Sequence, residues 1–96
     1  MKKIYKVQLK PYNGEHRVTM PIGAKVIHVQ TQGGLTCKEE PCLWFEFDTM
    51  NEYSTEERAF VTYGTGHEQF DDDMVHLGTY SLQDGRFIGH VYEKAR

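Results

Sequence analysis

The 96 residues of this chain suffice for one small domain, and a sequence that is 39% hydrophobic is not that of a disordered chain. No apolar run approaches the roughly 20 residues that a membrane helix needs, so the sequence predicts no membrane segment. The net charge of −3 argues against binding of duplex DNA, which depends on neutralising several phosphates.

Apolar and polar residues alternate from the start of the chain, which predicts strands rather than helices. Val7 and Leu9 share one face of a first strand. The Asn13-Gly14 pair that follows is a strong signal for a two-residue hairpin turn to the second strand. In that register Leu9 would lie opposite Val18, so both apolar residues would face the same side of the sheet.

The middle of the chain predicts three further strands separated by polar connections. In the third strand Ile27 and Val29 share one face, and in the fourth Leu43, Phe45 and Phe47 face the core. The predicted segments are a strand over residues 24–31, a loop over 33–41, a strand over 42–48, a connection over 49–56 and a strand over 57–63.

The Asp84-Gly85 pair predicts a second hairpin turn, between the sixth and seventh strands. In this register Tyr80 lies opposite Gly89 and would cover the backbone that the glycine leaves bare. The same register places Leu77 opposite Tyr92. The two strands are predicted over residues 75–83 and 86–93.

Seven short strands at this spacing predict a single all-β domain over residues 1–96, a mainly antiparallel sandwich or small barrel with little or no helix. A short helical turn is possible near residues 71–74. Both faces of the last hairpin carry apolar side chains, including Leu77, Ile88 and Tyr92. We therefore expect a homo-oligomer, a dimer or a larger assembly.

The stretch Gly64-Thr65-Gly66-His67 is a candidate site for an anion, because glycines can present bare N–H groups and Thr65 a hydroxyl. It lacks the Lys and Ser/Thr of a P-loop and the third glycine of a dinucleotide fingerprint, and no long helix follows it. The alternative is a turn in which glycine supplies a positive φ.

Charge is distributed unevenly along the chain. Residues 39–73 carry eleven acidic side chains and one basic side chain, Arg58, whereas residues 1–38 carry seven basic and one acidic. Arg58 is therefore the natural partner of an anion in its region. The imbalance indicates either a solvated acidic region or oppositely charged regions that meet between subunits.

Four strand aromatics are not clearly core residues: Trp44, Tyr63, Tyr80 and Tyr92. A nucleobase or another flat ligand could stack on such rings, which contributes about 1–3 kcal/mol per base. For each single ring, packing at the core or its rim is the alternative.

The five histidines form neither His-x-His nor His-Glu-x-x-His, so the sequence predicts no metal site and no cofactor. Cleavage of a phosphodiester would need two histidines across a cleft, and His67 with His90 is the candidate pair. Neither Ser54 nor Ser81 lies in a nucleophile motif. The sequence predicts no catalytic residue and favours a protein that is not an enzyme.

Cys37 and Cys42 have the spacing C-x4-C without a second pair, which is a poor zinc signature. The basic start of the chain is not followed by an apolar stretch, because Gln8 and Lys10 interrupt it, so we expect a cytoplasmic protein. In that compartment the two thiols should be reduced.

Several short motifs across nearly the whole chain are specific in combination: Pro21-x-Gly23-Ala24 with His28-Val29, Leu43-Trp44, Gly64-Thr65-Gly66-His67, and Phe87-x-x-His90-Val91-Tyr92-Glu93. On these motifs the chain resembles a family of small bacteriophage and prophage proteins of unknown function. It departs from the family pattern in its longer loop over residues 33–41 and at Gly89, where the pattern has a bulky aromatic. The resemblance implies a protein of the host bacterial cytoplasm that acts by binding.

Three functions remain open. The preferred one is capture, without catalysis, of an anionic small molecule, in particular a nucleotide second messenger of anti-phage defence held by an oligomeric sponge. The second is a protein-interaction or structural accessory role, and the third is a histidine-dependent nucleotide phosphodiesterase. The candidate ligand-binding residues are Gly64, Thr65, Gly66, His67, Arg58, Tyr63, Trp44, His90 and Tyr92.

Overall fold

The computed structural model describes residues 1–9, 13–34, 37–69 and 73–95 of the chain. This described part forms two antiparallel sheets, one with the strand order β1-β4-β3 and one with the order β2-β5-β7-β6. The prediction of an antiparallel β-sandwich is confirmed. The strands are β1 (Lys2–Gln8), β2 (Gly14–Pro21), β3 (Lys25–Gly34), β4 (Cys37–Asp48), β5 (Thr55–Gly64), β6 (Met74–Leu82) and β7 (Phe87–Lys94).

The hydrophobic core lies between the two sheets. Leu43, Phe45 and Phe47 of β4 are buried, as their alternation predicts, and they meet residues such as Phe60 and Val91 of the opposite sheet. Burial of these side chains stabilises the fold through the removal of apolar surface from water. The core cluster consists of Leu9, Val18, Met20, Ala24, Val29, Leu43, Phe45, Phe47, Phe60, Tyr80, Leu82 and Val91.

The first predicted hairpin is wrong, because β1 and β2 belong to different sheets. β1 pairs with β4, and β2 pairs with β5, where Val18 lies opposite Arg58 rather than Leu9. Leu9 and Val18 are nevertheless both buried in the core. Their apolar pattern shows which face is covered but does not distinguish pairing within a sheet from packing across the sandwich. Residues 10–12, which include part of the predicted turn, lie outside the described residues.

The second predicted hairpin is confirmed, with Tyr80 opposite Gly89 in the pairing of β6 with β7. The last pair of the two strands is Leu82 with Phe87, so the connection spans residues 83–86, and Gln83, Asp84 and Gly85 have positive φ values of 54°, 55° and 88°. A Cβ atom on Gly89 would lie 2.5 Å from the Tyr80 ring. The ring therefore occupies the space that the absent side chain leaves.

Two β-bulges change the faces that simple alternation predicts. A bulge at Leu77 places Tyr92 opposite His76, so the predicted pairing of Leu77 with Tyr92 is wrong. A second bulge, at Ile27, leaves that residue exposed while Val29 is buried, although alternation predicts the same face for both.

The connections that follow β3 and β4 are shorter than the sequence predicts. The loop predicted over residues 33–41 is wrong, because β3 extends to Gly34 and β4 begins at Cys37. The polar connection after β4 contains a 3-10 turn, Thr49–Asn51, in which the Met50 N–H donates to the Asp48 carboxylate. Of the helical turn expected near residues 71–74, residues 71 and 72 lie outside the described residues, and Met74 begins β6.

Cys42 is a buried free cysteine, and burial raises the pKa of its thiol. The side chain of Cys37 lies outside the described part. Among the described residues, no helix has the length and apolar character to cross a membrane.

Candidate functional site

Strand β5 presents short side chains to the outer face of the four-stranded sheet. Phe60 belongs to the core, so alternation places Ala59, Val61 and Tyr63 on the opposite side of the strand. Ala59 and Val61 are short and Tyr63 is large. The side chains of Ala59 and Val61 therefore project less far from the outer face of the sheet than that of Tyr63.

The neighbouring strands form walls on either side of this low surface. On β2, Glu15 and Arg17 lie opposite Val61 and Ala59. On β7, Tyr92 lies opposite Val61, and Lys94 follows two residues later. We call this feature the β5 trough: Ala59 and Val61 form its floor, Glu15 and Arg17 one wall, Tyr92 and Lys94 the other wall, and Tyr63 its end.

Two cavities occupy the β5 trough. The larger, of about 570 Å³, lies at the Tyr63 end, where Val61, Asn13 and His67 also contribute to its lining. The smaller, of about 300 Å³, lies at the Ala59 end. Lys94 lines both cavities, so the two cavities adjoin at its side chain. The larger volume falls in the range of about 300–1,000 Å³ that is usual for small-molecule sites.

A chain of ion pairs crosses the β5 trough. The Lys94 Nζ atom lies 3.0 Å from one oxygen of Glu15, and the Arg17 Nε atom lies 3.2 Å from the other. Arg17 also contacts Glu57, with 3.0 Å between Nη1 and Oε1. The hydrogen bond from Lys94, together with that from Arg17, lowers the pKa of the Glu15 carboxyl. Glu15 therefore holds two cations at once.

The Gly64-Thr65-Gly66-His67 stretch forms a turn at the end of β5. The His67 N–H donates to the Gly64 carbonyl at 3.0 Å, and Gly66 has a φ of 89°. The N–H of Gly64 donates to Asn13 Oδ1 at 2.6 Å, and that of Thr65 donates to a carbonyl of β7 at 3.3 Å. Within the described part of the chain, the N–H groups of Gly64, Thr65 and His67 are therefore engaged, which favours the turn over an anion site built from backbone N–H groups.

His67 packs tightly over this turn and lines the larger cavity. A Cβ atom on Gly64 would lie 2.7 Å from His67 Nδ1, so the glycine makes room for the ring. On the other side of the ring, Nε2 lies 3.5 Å from Asn13 Nδ2. Asn13 and His67 thus bring two polar side chains to the Tyr63 end of the β5 trough.

His90 lies on the same outer face and contacts two threonine hydroxyls. Its Nε2 atom lies 2.8 Å from Thr65 Oγ1, and its Nδ1 atom lies 3.3 Å from Thr79 Oγ1. Thr79 Oγ1 also lies 3.4 Å from His76 Nε2. The contacts link the turn to β6 and β7 and occupy both ring nitrogens of His90.

Tyr63 and Tyr92 meet beside the β5 trough. Their ring centroids lie 5.9 Å apart with an interplanar angle of 72°, an edge-to-face contact. Tyr92 also contacts the His76 ring at 5.1 Å, and its hydroxyl accepts a hydrogen bond from Gln69. The structure therefore brings together two of the predicted stacking residues, whereas Tyr80 belongs to the core.

Arg58 does not line the β5 trough, which corrects its assignment to one site with Gly64–His67. The residue is 5% exposed, and its guanidinium donates to both carboxylate oxygens of Glu93 at 2.6 and 2.7 Å. The hydrogen bonds to Glu93 raise the pKa of Arg58. Arg58 points inwards because it alternates with Ala59 and shares the face of Phe60.

Trp44 also lies apart from the predicted site. It belongs to β4, in the three-stranded sheet, where its ring lies 5.5 Å from the ring of His28. Trp44 alternates with the core residues Leu43 and Phe45, so it faces outwards on the opposite side of the sandwich. Its assignment to the same site as Tyr63 is therefore corrected.

The sequence alone does not indicate the residues that shape the β5 trough, which are Ala59, Val61, Glu15, Arg17 and Lys94. The short outward side chains of β5 were visible as a pattern, but the walls depend on the pairing of β5 with β2 and β7. Among the described residues, no group of three or more His, Cys, Asp and Glu side chains could hold a metal ion.

Comparison with protein families gives one finding for the whole chain. The family described as "Domain of unknown function (DUF7352)" matches residues 1–96. Neither the curated proteins nor the solved structures give a match.

Proposed function

The chain belongs to this family of unknown function, and we propose from the geometry of its own residues that it captures a nucleoside or nucleotide in the β5 trough without converting it. One observation carries the proposal: the larger cavity is lined by the ring of Tyr63 and by the apolar side chain of Val61, which is 8% exposed in the free protein. A nucleobase has apolar faces and polar edges, so it suits an apolar floor between polar walls.

The width of the β5 trough supports a flat ligand. Strands β2 and β7 lie on either side of β5, each about 4.8 Å away, so the two walls rise from backbones about 10 Å apart. This spacing accepts one ring system between the side chains of the walls. Tyr63 provides the surface on which the ring stacks.

Polar side chains at the Tyr63 end support recognition of a base edge. Asn13 and His67 line the larger cavity, and their contact with each other is long at 3.5 Å. A ligand could replace this weak contact with shorter hydrogen bonds to both side chains. The Asn13 Oδ1 atom is already bound by Gly64, so the amide nitrogen is the group that faces a ligand.

Capture is favoured over cleavage by the positions of the two candidate histidines. His67 lines the larger cavity, whereas both ring nitrogens of His90 contact threonine hydroxyls. A phosphodiesterase would need both rings to exchange protons with one substrate. The resemblance to phage proteins suggests a host defence nucleotide as the biological ligand, which the protein would sequester.

A second candidate function, the binding of a protein partner, is favoured by a different surface. Ile4 is 53% exposed on β1 and alternates onto the same outer face as Trp44. An exposed aliphatic residue near a tryptophan is typical of contact surfaces between proteins.

The test of capture is calorimetry with the common ribonucleosides, their 5′-monophosphates and cyclic dinucleotides, followed by heat denaturation and analysis of the released ligand. We expect binding and recovery of intact ligand. Tyr63→Ala should weaken binding by about 5- to 150-fold, since stacking on an aromatic ring contributes about 1–3 kcal/mol.

The matched control is Tyr53→Ala, which removes the same ring from a site that is 92% exposed and does not line the β5 trough. This variant should bind like the unmodified protein. Cleaved product would support the phosphodiesterase instead. Absence of binding across the whole panel would refute capture and favour the protein partner.

A further inference from the structure

The Ala59 end of the β5 trough has two cations and no large side chain on its floor. Arg17 lies opposite Ala59 on β2, and both residues line the smaller cavity together with Lys94. The side chain of Arg17 is 63% exposed and that of Lys94 is 35% exposed. Both cations can therefore be reached by a ligand that lies in the β5 trough.

One carboxylate already marks the position of an anion between these cations. The Glu15 oxygens lie 3.0 Å from Lys94 and 3.2 Å from Arg17, so a single anionic group is within reach of both. Partly exposed ion pairs of this kind contribute little to stability. A phosphate group carries more charge and more acceptor oxygens than a carboxylate, so it can replace Glu15 at this position.

The distance along β5 fits the two ends of one nucleotide. Outward residues of a strand are about 7 Å apart, so Ala59 lies about 7 Å from Val61 and about 14 Å from Tyr63. A base that rests on Val61 against Tyr63 would place its ribose towards Ala59. The 5′-phosphate would then reach the two cations.

We infer that the β5 trough binds a nucleoside 5′-monophosphate unit with its base against Tyr63 and its phosphate between Lys94 and Arg17, in the place that Glu15 occupies in the free protein. This inference rests on the proposed function and names the ligand class and the phosphate subsite. It replaces the buried Arg58, which sequence analysis assigned to the anion, with two accessible cations of the outer face.

The test compares each ribonucleoside with its 5′-monophosphate by calorimetry in three variants. Glu15→Gln should bind the monophosphate about two- to fivefold more tightly, because the competing carboxylate is gone, and this gain should exceed any change in the affinity for the nucleoside. Lys94→Gln should weaken binding of the monophosphate by about 10- to 100-fold, and by more than it weakens binding of the nucleoside. Lys25→Gln, which removes an exposed charge from the other sheet, is the matched control and should change neither.

The outcomes separate this inference from the proposed function. Nucleosides that bind as tightly as their monophosphates would overturn the phosphate subsite and leave capture intact. Absence of binding for both forms would overturn both. If Lys94→Gln weakened binding of the nucleoside and of the monophosphate equally, Lys94 would shape the wall of the β5 trough without contacting phosphate. If Lys94→Gln does not fold, as judged by circular dichroism, Arg17→Gln gives the same comparison.

Discussion

Replacement of Arg58 with methionine would remove from Glu93 the guanidinium that bonds both of its carboxylate oxygens. The Arg58 and Glu93 side chains are 5% and 11% exposed, so water would not readily replace the lost hydrogen bonds. Loss of one member of a buried ion pair costs about 3–5 kcal/mol. The total stability expected for a chain of this length is only about 5–14 kcal/mol.

We therefore expect Arg58→Met to lower the melting temperature by about 12–40 °C, measured by circular dichroism and checked by urea unfolding. Arg17→Met is the matched control, because it removes the same group from an exposed ion pair and should cost at most about 1 kcal/mol. A double variant with Arg58→Met and Glu93→Leu should recover part of the loss, since neither charge then remains buried. A loss below about 1 kcal/mol in Arg58→Met would show that the pair does not stabilise the fold.

The remaining predictions concern a close contact, an exposed ring and a half-buried carboxylate. Gly89→Ala should destabilise the protein by about 1–3 kcal/mol in urea unfolding, because the new Cβ meets the buried Tyr80 ring. An unchanged urea concentration at the midpoint of unfolding would contradict this contact. His67→Ala should change stability by at most about 0.5 kcal/mol, because the ring is exposed, and a collapse of the fold would make it a structural residue. The hydrogen bond from Tyr5, with that from Lys3, lowers the pKa of Glu52 in the folded state. The ionised Glu52 carboxylate therefore contributes to the stability of the fold above about pH 4.5, and this stability is lost as pH falls through the folded pKa. Thermal unfolding of Glu52→Gln should accordingly show a smaller loss of stability from pH 5 to pH 3 than the unmodified protein, and equal losses would contradict the assignment.

Local patterns predicted much of the fold because they depend on neighbours in the chain. The alternation of Leu43, Phe45 and Phe47 and the Asp84-Gly85 turn needed no information from distant residues. The partner of β2 did need such information, since the Asn13-Gly14 signal is equally compatible with a chain that crosses from one sheet to the other. Arg58 shows a different limit: its alternation with Ala59 indicates that it points inwards, whereas its charge alone indicates a partner for an anion.

The residues of the candidate site could be predicted from the sequence only in part. Tyr63, His67, His90 and Tyr92 lie on one outer face because β5 pairs with β7 and the turn that carries His67 follows β5 directly. The sequence predicted these residues by their type but did not predict that β5 and β7 are neighbours. The walls at Glu15 and Lys94 come from segments at opposite ends of the chain. No short-range pattern indicates that two such segments flank one strand.

The separation of β1 and β2 into different sheets also has a consequence for the order of folding. β6 and β7 form a local hairpin, whereas β2 must find β5 across the whole stretch that contains β3 and β4. Loop closure of this length is slow compared with the formation of a hairpin. The wall that carries Glu15 and Arg17 should therefore dock late, after the β6–β7 side has formed, and pulse-labelled hydrogen exchange would report protection in that order. A chain caught before this step would have the ring of Tyr63 in place beside a trough with only one wall.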